Sequence, residues 1–198
     1  MGLFGSDMTT PTTILRLAIR NDAADLQSYF GSLSKAARYN RFLGHAATPT
    51  LDDINRIIGC DGDNFFCVVA TQRYGLAQQI IGEAVCSIAP SAEIALSVDD
   101  SVQGCGLGRA LLMSLESLAA QRAACELHGT ILSSNDRIAV LARSLGYTLE
   151  RPEGDWTHRV IRKALPVSAV IPFRSSPAMA ASPWPYLKGA LRAAAGRA

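Results

Sequence analysis

Residues 98–109 read Val-Asp-Asp-Ser-Val-Gln-Gly-Cys-Gly-Leu-Gly-Arg, which is the sharpest local pattern in the chain. An apolar segment with the composition of a strand precedes it, and an amphipathic segment with helical spacing follows. Glycines at positions 104, 106 and 108 let the backbone curl with its N–H groups pointing inward. Because such donors at the beginning of a helix bind phosphate, the stretch predicts a phosphate-binding loop.

Two common nucleotide-binding loops do not fit this stretch. The glycine spacing is not Gly-x-Gly-x-x-Gly, which excludes the dinucleotide fingerprint, and no Gly-Lys-Ser/Thr ending exists, which excludes a P-loop NTPase. A tight strand-to-helix turn, with glycines for steric fit alone, is the alternative. Three glycines at alternate positions favour phosphate binding over that alternative.

The segments around the loop predict an α/β fold with a mixed sheet. Residues 64–71, 78–87 and 92–98 are three consecutive strand-like segments with short connections, which favours an antiparallel meander. Periodicity predicts further strands over 14–20, 127–132, 147–149 and 157–162. Periodicity and capping residues predict helices over 22–33, 34–43, 51–59, 107–119 and 135–145, the second, third and fifth of which begin at the caps Ser34, Thr50 and Asn135.

The composition limits the number of domains in the chain and the classes of partner that it can bind. With 198 residues, 48% hydrophobic content and a net charge of +2, the chain suits one domain and is no polybasic nucleic-acid binder. We expect a flexible N-terminus over 1–12, a folded domain over 13–165 and a Pro/Ala-rich tail over 166–198. That tail holds five of the nine prolines and four basic residues but no acidic one.

Cysteine, histidine and hydropathy patterns give further expectations. The five cysteines and three histidines are scattered, so we expect no metal site and a reducing compartment. No uncharged apolar run approaches 18 residues, and the start lacks the layout of a secretory signal. The expectation is a cytoplasmic protein that binds neither nucleic acid nor membrane.

Gln103-x-x-Gly106-x-Gly108 resembles the acetyl-CoA loop of the GCN5-related N-acetyltransferase (GNAT) family, Q/R-x-x-G-x-G/A. The order of strands and helices over residues 14–163 is similar to that family, and so is an Asn135-initiated helix that ends in Leu-Gly-Tyr. The resemblance implies a twisted mixed sheet of six or seven strands flanked by four or five helices. The segment from Ser34 to Phe42 looks like the protein-lysine acetyltransferase branch.

The resemblance also implies a set of residues that bind the co-substrate acetyl-CoA. In the family the fourth and fifth strands splay apart, which would let the backbone of Leu96 and Val98 pair with pantetheine. A backbone N–H near Leu96 or Ser97 would stabilise the oxyanion, and Asn135 would contact the CoA arm near its thiol. The implied set is Leu96, Ser97, Val98, Gln103, Gly104, Cys105, Gly106, Leu107, Gly108, Arg109 and Asn135, with no metal.

The implied reaction is transfer of an acetyl group to a primary amine: a protein lysine, an N-terminus or a small amine. The amine attacks in its neutral form, so a general base is needed. The resemblance implies Glu93 as the base, because it begins the fourth strand, where this branch of the family carries a catalytic glutamate. Glu83 in its apolar setting is the alternative. Many family members carry a tyrosine acid seven residues after the Asn, where this chain has Ala142. That departure leaves a second hypothesis, a non-catalytic acyl-CoA-binding regulatory or interaction protein.

Overall fold

A computed structural model describes residues 12–45, 48–59, 64–74, 77–88 and 91–166. All but the last residue of the predicted flexible N-terminus, and the predicted tail beyond Pro166, lie outside these ranges. The strands are β1 (Thr13–Leu17), β2 (Phe65–Tyr74), β3 (Ala77–Ser87), β4 (Ala92–Val98), β5 (Glu126–Leu132), β6 (Thr148–Glu150) and β7 (His158–Ala164). The helices are α1 (Ala23–Ser32), α2 (Lys35–Arg41), α3 (Leu51–Gly59), α4 (Leu107–Gln121) and α5 (Asp136–Ser144).

The seven strands form one mixed sheet in the order β1-β2-β3-β4-β5-β7-β6. Strands β1 to β4 are antiparallel neighbours, which confirms the predicted meander. Strand β5 lies parallel to β4, and β7 and β6 continue the sheet with antiparallel pairing. The predicted fold class, a mixed sheet flanked by helices, is confirmed.

Each face of the central strands carries its own hydrophobic core, because side chains alternate along a strand. On one face α4 and α5 pack against the sheet, and Leu111, Leu112 and Leu115 of α4 are fully buried there. On the other face α1 to α3 pack against β2 and β3, with Phe30, Phe42 and Ile54 in the core. We refer to these as the α4 face and the α1 face.

Local capping sets most helix boundaries. The side chains of Ser34, Thr50 and Asn135 each accept a hydrogen bond from the backbone N–H three residues later, as their positions predicted. Helix α2 ends at Arg41 rather than 43, because Leu43 and Gly44 adopt positive φ of 51° and 91°.

The predicted strand over 14–20 was too long. Asp22 accepts hydrogen bonds from Arg16 at 2.6 and 2.7 Å and from the backbone N–H of Ile19 at 2.7 Å. This contact bends the chain into a single 3₁₀ turn before α1, so β1 ends at Leu17. Within the part of the chain described here, no helix is long and apolar enough to cross a membrane.

Candidate active site

Strands β4 and β5 touch at one end only. Their register covers Ala92 opposite Leu127 and Glu93 opposite His128, and beyond these pairs the strands diverge. The backbone N–H of Asp99 donates to Ile81 on β3 at 2.9 Å. Because such contacts alternate along an antiparallel pair, the odd-numbered residues of β4 direct their N–H and C=O groups to β3. The backbone groups of Leu96 and Val98 therefore face the gap.

Ser97 differs from its neighbours in the predicted binding set. Its backbone N–H points to β3, so of the two residues considered for the oxyanion only Leu96 offers an N–H to the gap. The side chain of Ser97 lies on the α1 face instead, where it lines the cavity described below. The carbonyl of Val98 already accepts a hydrogen bond from Gln103 Nε2 at 3.2 Å.

The closed end of the gap requires a glycine. A Cβ at Gly129 would lie 2.9 Å from the carbonyl oxygen of Ile94 and 3.1 Å from its Cγ1. Real Cβ atoms do not approach a backbone oxygen that closely, and a backbone atom has no rotamer with which to move away. Gly129 thus lets β5 approach β4 at the vertex, where the two strands begin to diverge.

The glycine-rich loop lies at the open end of the gap. Gly104 and Gly106 have φ of +87° and +84°, a left-handed conformation that favours glycine. Gly106 is the N-cap residue of α4, so the N–H groups of residues 107–109 in its first turn have no intrahelical acceptor. Free donors at a helix N-terminus attract anions, which is the physical basis of the predicted phosphate site.

A cavity of about 810 Å³ runs from this loop into the gap. Two guanidinium groups, those of Arg109 and Arg137, lie at the loop end, and Arg137 donates to Gln103 Oε1. Arg109 donates to Ser144 at 2.7 Å. The predicted binding residues that line the cavity are Leu96, Ser97, Val98, Gln103, Gly104, Gly106, Gly108, Arg109 and Asn135.

Two residues of the predicted binding set do not line the cavity. The thiol of Cys105 donates to the carbonyl of Val102 at 3.0 Å, and the side chain of Leu107 is buried in the α4-face core. Leu107 can therefore offer only its backbone N–H to a ligand in the loop. Ala142 is fully buried in the same core, so the position where relatives carry a tyrosine does not reach the cavity here.

Glu93 lies at the vertex, one residue before the cavity lining begins at Ile94. The residue is 9% exposed, and its side chain has no hydrogen-bond partner among the described residues. Burial raises the pKa of this carboxyl to about 7, because desolvation disfavours the charged form. A carboxyl group with such a pKa can accept and release a proton near neutral pH.

Glu83 occupies a different environment on the same face. It is fully buried, and Arg41 holds both of its oxygens, with Nε to Oε1 at 2.7 Å and Nη2 to Oε2 at 3.2 Å. Ser97 donates to Oε1 at 2.6 Å, and the Tyr29 hydroxyl lies 3.0 Å from Ser97 Oγ. Glu83 therefore anchors α2 to the sheet through Arg41, and its oxygens are already engaged.

Helix α2 is also tied to the glycine-rich loop. Asp100, just after β4, accepts hydrogen bonds from the backbone N–H of Ser34 at 3.1 Å and from its hydroxyl at 3.0 Å. Together with Arg41, this contact holds α2 as one wall of the cavity, to which it contributes Ala37, Asn40 and Arg41.

The sequence comparison identifies the domain that carries this cavity. Residues 62–149 match the family model of the acetyltransferase (GNAT) domain. The chain contains a GNAT acetyltransferase domain. The match includes β4, the glycine-rich loop and α4, on which the resemblance rested, and it supports an acyltransferase.

Solved structures share the fold of this GNAT domain. The GNAT domain of PAT from S. lividans superposes with a TM-score of 0.67 at 23% identity, covering 76% of this chain and 89% of that one. A putative acetyltransferase from Salmonella typhimurium, solved with its cofactor acetyl-CoA, gives 0.63 at 21% identity over 81% and 98%. A phosphinothricin acetyltransferase from Sinorhizobium meliloti in complex with acetyl-CoA gives 0.63 at 20% identity over 84% and 95%.

Several residues of the GNAT site were not assigned from sequence. Arg137 reaches the loop from α5, and no local pattern indicated this role. Gly129 did carry a signal, since an isolated glycine inside a strand indicates close backbone approach. His128 faces the same vertex through strand register, which only the folded sheet defines.

Proposed function

We propose that this protein transfers an acetyl group from acetyl-CoA to a primary amine by direct attack of the amine within a ternary complex. The observation that carries the proposal is the gap between β4 and β5, with backbone groups of β4 facing it and a phosphate-type loop at its open end. Acetyl-CoA complexes among the GNAT structures of similar fold support the same co-substrate.

The residues fit the parts of acetyl-CoA along the length of the gap. The loop N–H groups of residues 104–109, with Arg109 and Arg137 nearby, suit the phosphates. The carbonyl of Leu96 and the N–H of Val98 face the gap and suit the amides of pantetheine, as an added strand would pair. The Val98 carbonyl is already bound to Gln103. Glu93 lies three residues, about 10 Å, from Leu96 toward the closed end, so it would accept the proton of the amine through water rather than from beside the thioester.

The chemistry that acetyl-CoA supplies when bound is an activated acyl group. The protein's part is to bind the arm, to offer the Leu96 N–H to the carbonyl oxygen and to remove a proton from the amine. Glu93 is our proposed general base, because its carboxyl group is unpartnered among the described residues and its pKa lies near 7. Glu83 holds α2 in position rather than transferring a proton, because Arg41 and Ser97 already bind its oxygens.

The acceptor is proposed as a protein lysine, an N-terminus or a small amine. The likeness of Ser34–Phe42 to the protein-lysine branch supports the first of these. In the structure this segment is α2 with its capping residues, and it forms a wall of the cavity.

One observation favours a non-catalytic acyl-CoA-binding protein instead. Ala142 is buried in the core, so the family's tyrosine acid has no counterpart at this position. A thiolate can leave without an acid, so this absence slows transfer at most. Release of CoA thiol in the presence of amines separates the two functions.

The first test is binding. Acetyl-CoA at 100 times its dissociation constant should stabilise the protein by about 2.7 kcal/mol, which raises the melting temperature of a domain of this size by about 5–10 °C. Gly106→Asp should abolish this rise, because it places a carboxylate at the phosphate loop. Gly154→Asp is the matched control, since Gly154 has φ of +75° and equally open surroundings but does not line the cavity.

The second test is turnover with a panel of amines: lysine peptides, peptides with a free N-terminus and small amines. CoA release with at least one class, and none without amine, is the expected result. Binding without release from any amine would support the non-catalytic function. A wild-type melting temperature that acetyl-CoA leaves unchanged would contradict both.

A further inference from the structure

The cavity reaches across β5 at the end that lies nearest the vertex. Ile161 lines it, although this residue belongs to β7, which β5 separates from β4. Gly129 of β5 is the register partner of Ile161 and also lines the cavity. A strand position without a side chain therefore opens the way from the gap to Ile161.

Two isoleucine side chains border the space above Gly129. A Cβ at position 129 would lie 3.1 Å from Cγ1 of Ile94 and 3.5 Å from Cγ1 of Ile161. Each isoleucine is 2% exposed and belongs to the α4-face core. We refer to Ile94, Gly129 and Ile161 as the inner end of the cavity, and its side chains contain no polar atom.

The distance from the Leu96 N–H to the inner end limits the length of an acyl group. Leu96, whose N–H faces the gap, lies two residues from Ile94, which is about 7 Å along an extended strand. A carbon atom of the acyl group stays about 4 Å from the Ile94 side chain. The remaining distance, about 3 Å, corresponds to two carbon–carbon bonds of about 1.5 Å each. An acyl group of two or three carbons therefore fits, and a longer one meets Ile94 and Ile161.

We propose that Ile161, together with Ile94, determines which acyl groups this protein transfers. Acetyl and propionyl groups are accepted, whereas butyryl and longer groups are rejected. This inference rests on the proposed function and names the class of its donor. The two side chains act by occupying space, and no bond forms or breaks at either of them.

The inner end also rejects a charged acyl group. A carboxylate placed between Ile94 and Ile161 would lose its hydration without gaining a hydrogen bond. The guanidinium of Arg41, which lines the cavity from α2, already binds Glu83 at 2.7 and 3.2 Å. Dicarboxylic acyl groups such as succinyl are therefore not donors.

The first experiment compares acyl-CoA donors with one active amine. The ratio kcat/KM is measured for acetyl-, propionyl-, butyryl- and succinyl-CoA in the wild type, Ile161→Val and Ile161→Ala. In the wild type it should fall from propionyl to butyryl by roughly 10- to 200-fold, the range that one methylene contributes in an apolar pocket. Ile161→Val should reduce this fall and Ile161→Ala should abolish it, because both remove carbon atoms from the inner end. Succinyl-CoA should stay inactive in all three proteins.

Ile81→Val and Ile81→Ala are the matched controls. Ile81 of β3 is 5% exposed and belongs to the same α4-face core, but it does not line the cavity. These substitutions remove the same atoms from the same core and should leave the preference for acetyl over butyryl at its wild-type value. Ile161→Val removes a single methyl group, so it keeps the comparison available where Ile161→Ala does not fold.

Three results would overturn the proposal. The first is a wild type that transfers butyryl as efficiently as acetyl. The second is an unchanged preference in the Ile161 variants, and the third is an equal change in the Ile81 variants.

The second experiment needs no turnover. Calorimetric titration gives the dissociation constants of acetyl-CoA and butyryl-CoA for the wild type and for Ile161→Val. Butyryl-CoA should bind the wild type more weakly than acetyl-CoA, and the difference should shrink in the variant. An unchanged difference contradicts this inference even where no amine is acetylated. A wild type that binds both donors but releases CoA with no amine contradicts the proposed transfer alone.

Discussion

Two buried glutamates on one sheet face illustrate how surroundings determine what a carboxyl group does. Glu83 lies between Arg41 and Ser97, with both oxygens engaged. Glu93 has no hydrogen-bond partner among the described residues, and burial raises its pKa to about 7. The first environment suits an anchor, and the second suits a group that exchanges protons near neutral pH.

Glu93→Gln should lower turnover by roughly 10²–10⁴-fold while acetyl-CoA binding survives, because the variant removes the proton acceptor and keeps the side-chain volume. In the wild type the rate should rise with pH through about 7, as the carboxylate forms. This limb should flatten in the variant. Titration of the acceptor amine also makes the rate rise with pH. Repeating the profile with amines of different pKa separates the two causes, because only a rise due to the enzyme stays at the same pH. Near wild-type turnover would contradict the assignment.

The same substitution makes a prediction for stability. The folded state holds the Glu93 proton up to about pH 7, whereas the usual pKa is 4.5, so the free energy of unfolding falls as pH rises through this window. Glu93→Gln should remove that slope and stabilise the protein at pH 8, by roughly 3 kcal/mol at most. Glu83→Gln is the contrast: it leaves the buried Arg41 without its carboxylate and should destabilise by about 3 kcal/mol. Urea unfolding at pH 5 and pH 8 measures both.

At the scale of elements, the gap depends on how β4 and β5 meet. The strands pair over two residues and then diverge, so the backbone of β4 keeps an unpaired edge inside the protein. Unpaired backbone groups of this kind are costly unless a ligand or water satisfies them. The close approach of Gly129 to Ile94 determines the position along β4 and β5 at which the two strands begin to diverge.

Gly129→Ala should weaken acetyl-CoA binding and destabilise the fold by about 1–3 kcal/mol, because the added methyl group forces the two strands apart at the vertex. Gly31→Ala is the control: Gly31 lies in α1, and an added methyl group there would meet nothing within 4 Å, so alanine should stabilise by about 0.5–1 kcal/mol through helix propensity. Thermal unfolding with and without acetyl-CoA measures both the change in stability and the change in acetyl-CoA binding. Equal behaviour of the two variants would contradict the role of Gly129.

At the scale of the whole molecule, the two cores hold α2 and α5 on opposite sides of one gap. The α1-face core supports α2 through Phe42 and Arg41, and the α4-face core supports α5 through Ala139 and Ala142. The cavity walls therefore come from separate layers, and the sheet between them sets their separation. The domain boundaries expected from composition, 13–165 with a tail over 166–198, remain a proposal.

A truncation after Pro166 should stay folded, keep its melting temperature within about 2 °C and bind acetyl-CoA as the full chain does, because stability resides in the two cores. Pro166 is retained because Leu165 is buried and its N–H donates to Cys125 at 2.8 Å. Gel filtration, thermal unfolding and acetyl-CoA titration test this. Aggregation or lost affinity would show that the segment from 167 onward belongs to the folded domain.

The sequence by itself determined the elements and the loop. Strand β4 has its predicted bounds, the caps at Ser34, Thr50 and Asn135 are confirmed, and the glycines at 104 and 106 have a positive φ that lets the loop curl. These features depend on interactions between residues a few positions apart, which local spacing records.

Only the tertiary structure decided which buried groups meet. The pairing of Arg41 with Glu83, the contact of Gly129 with Ile94 and the register of Glu93 with His128 join residues that are about 35 to 42 positions apart. The raised pKa of Glu93 likewise arises from burial, which no local pattern in the sequence contains. Strand register and packing determine such contacts, and both are properties of the assembled sheet and its two cores.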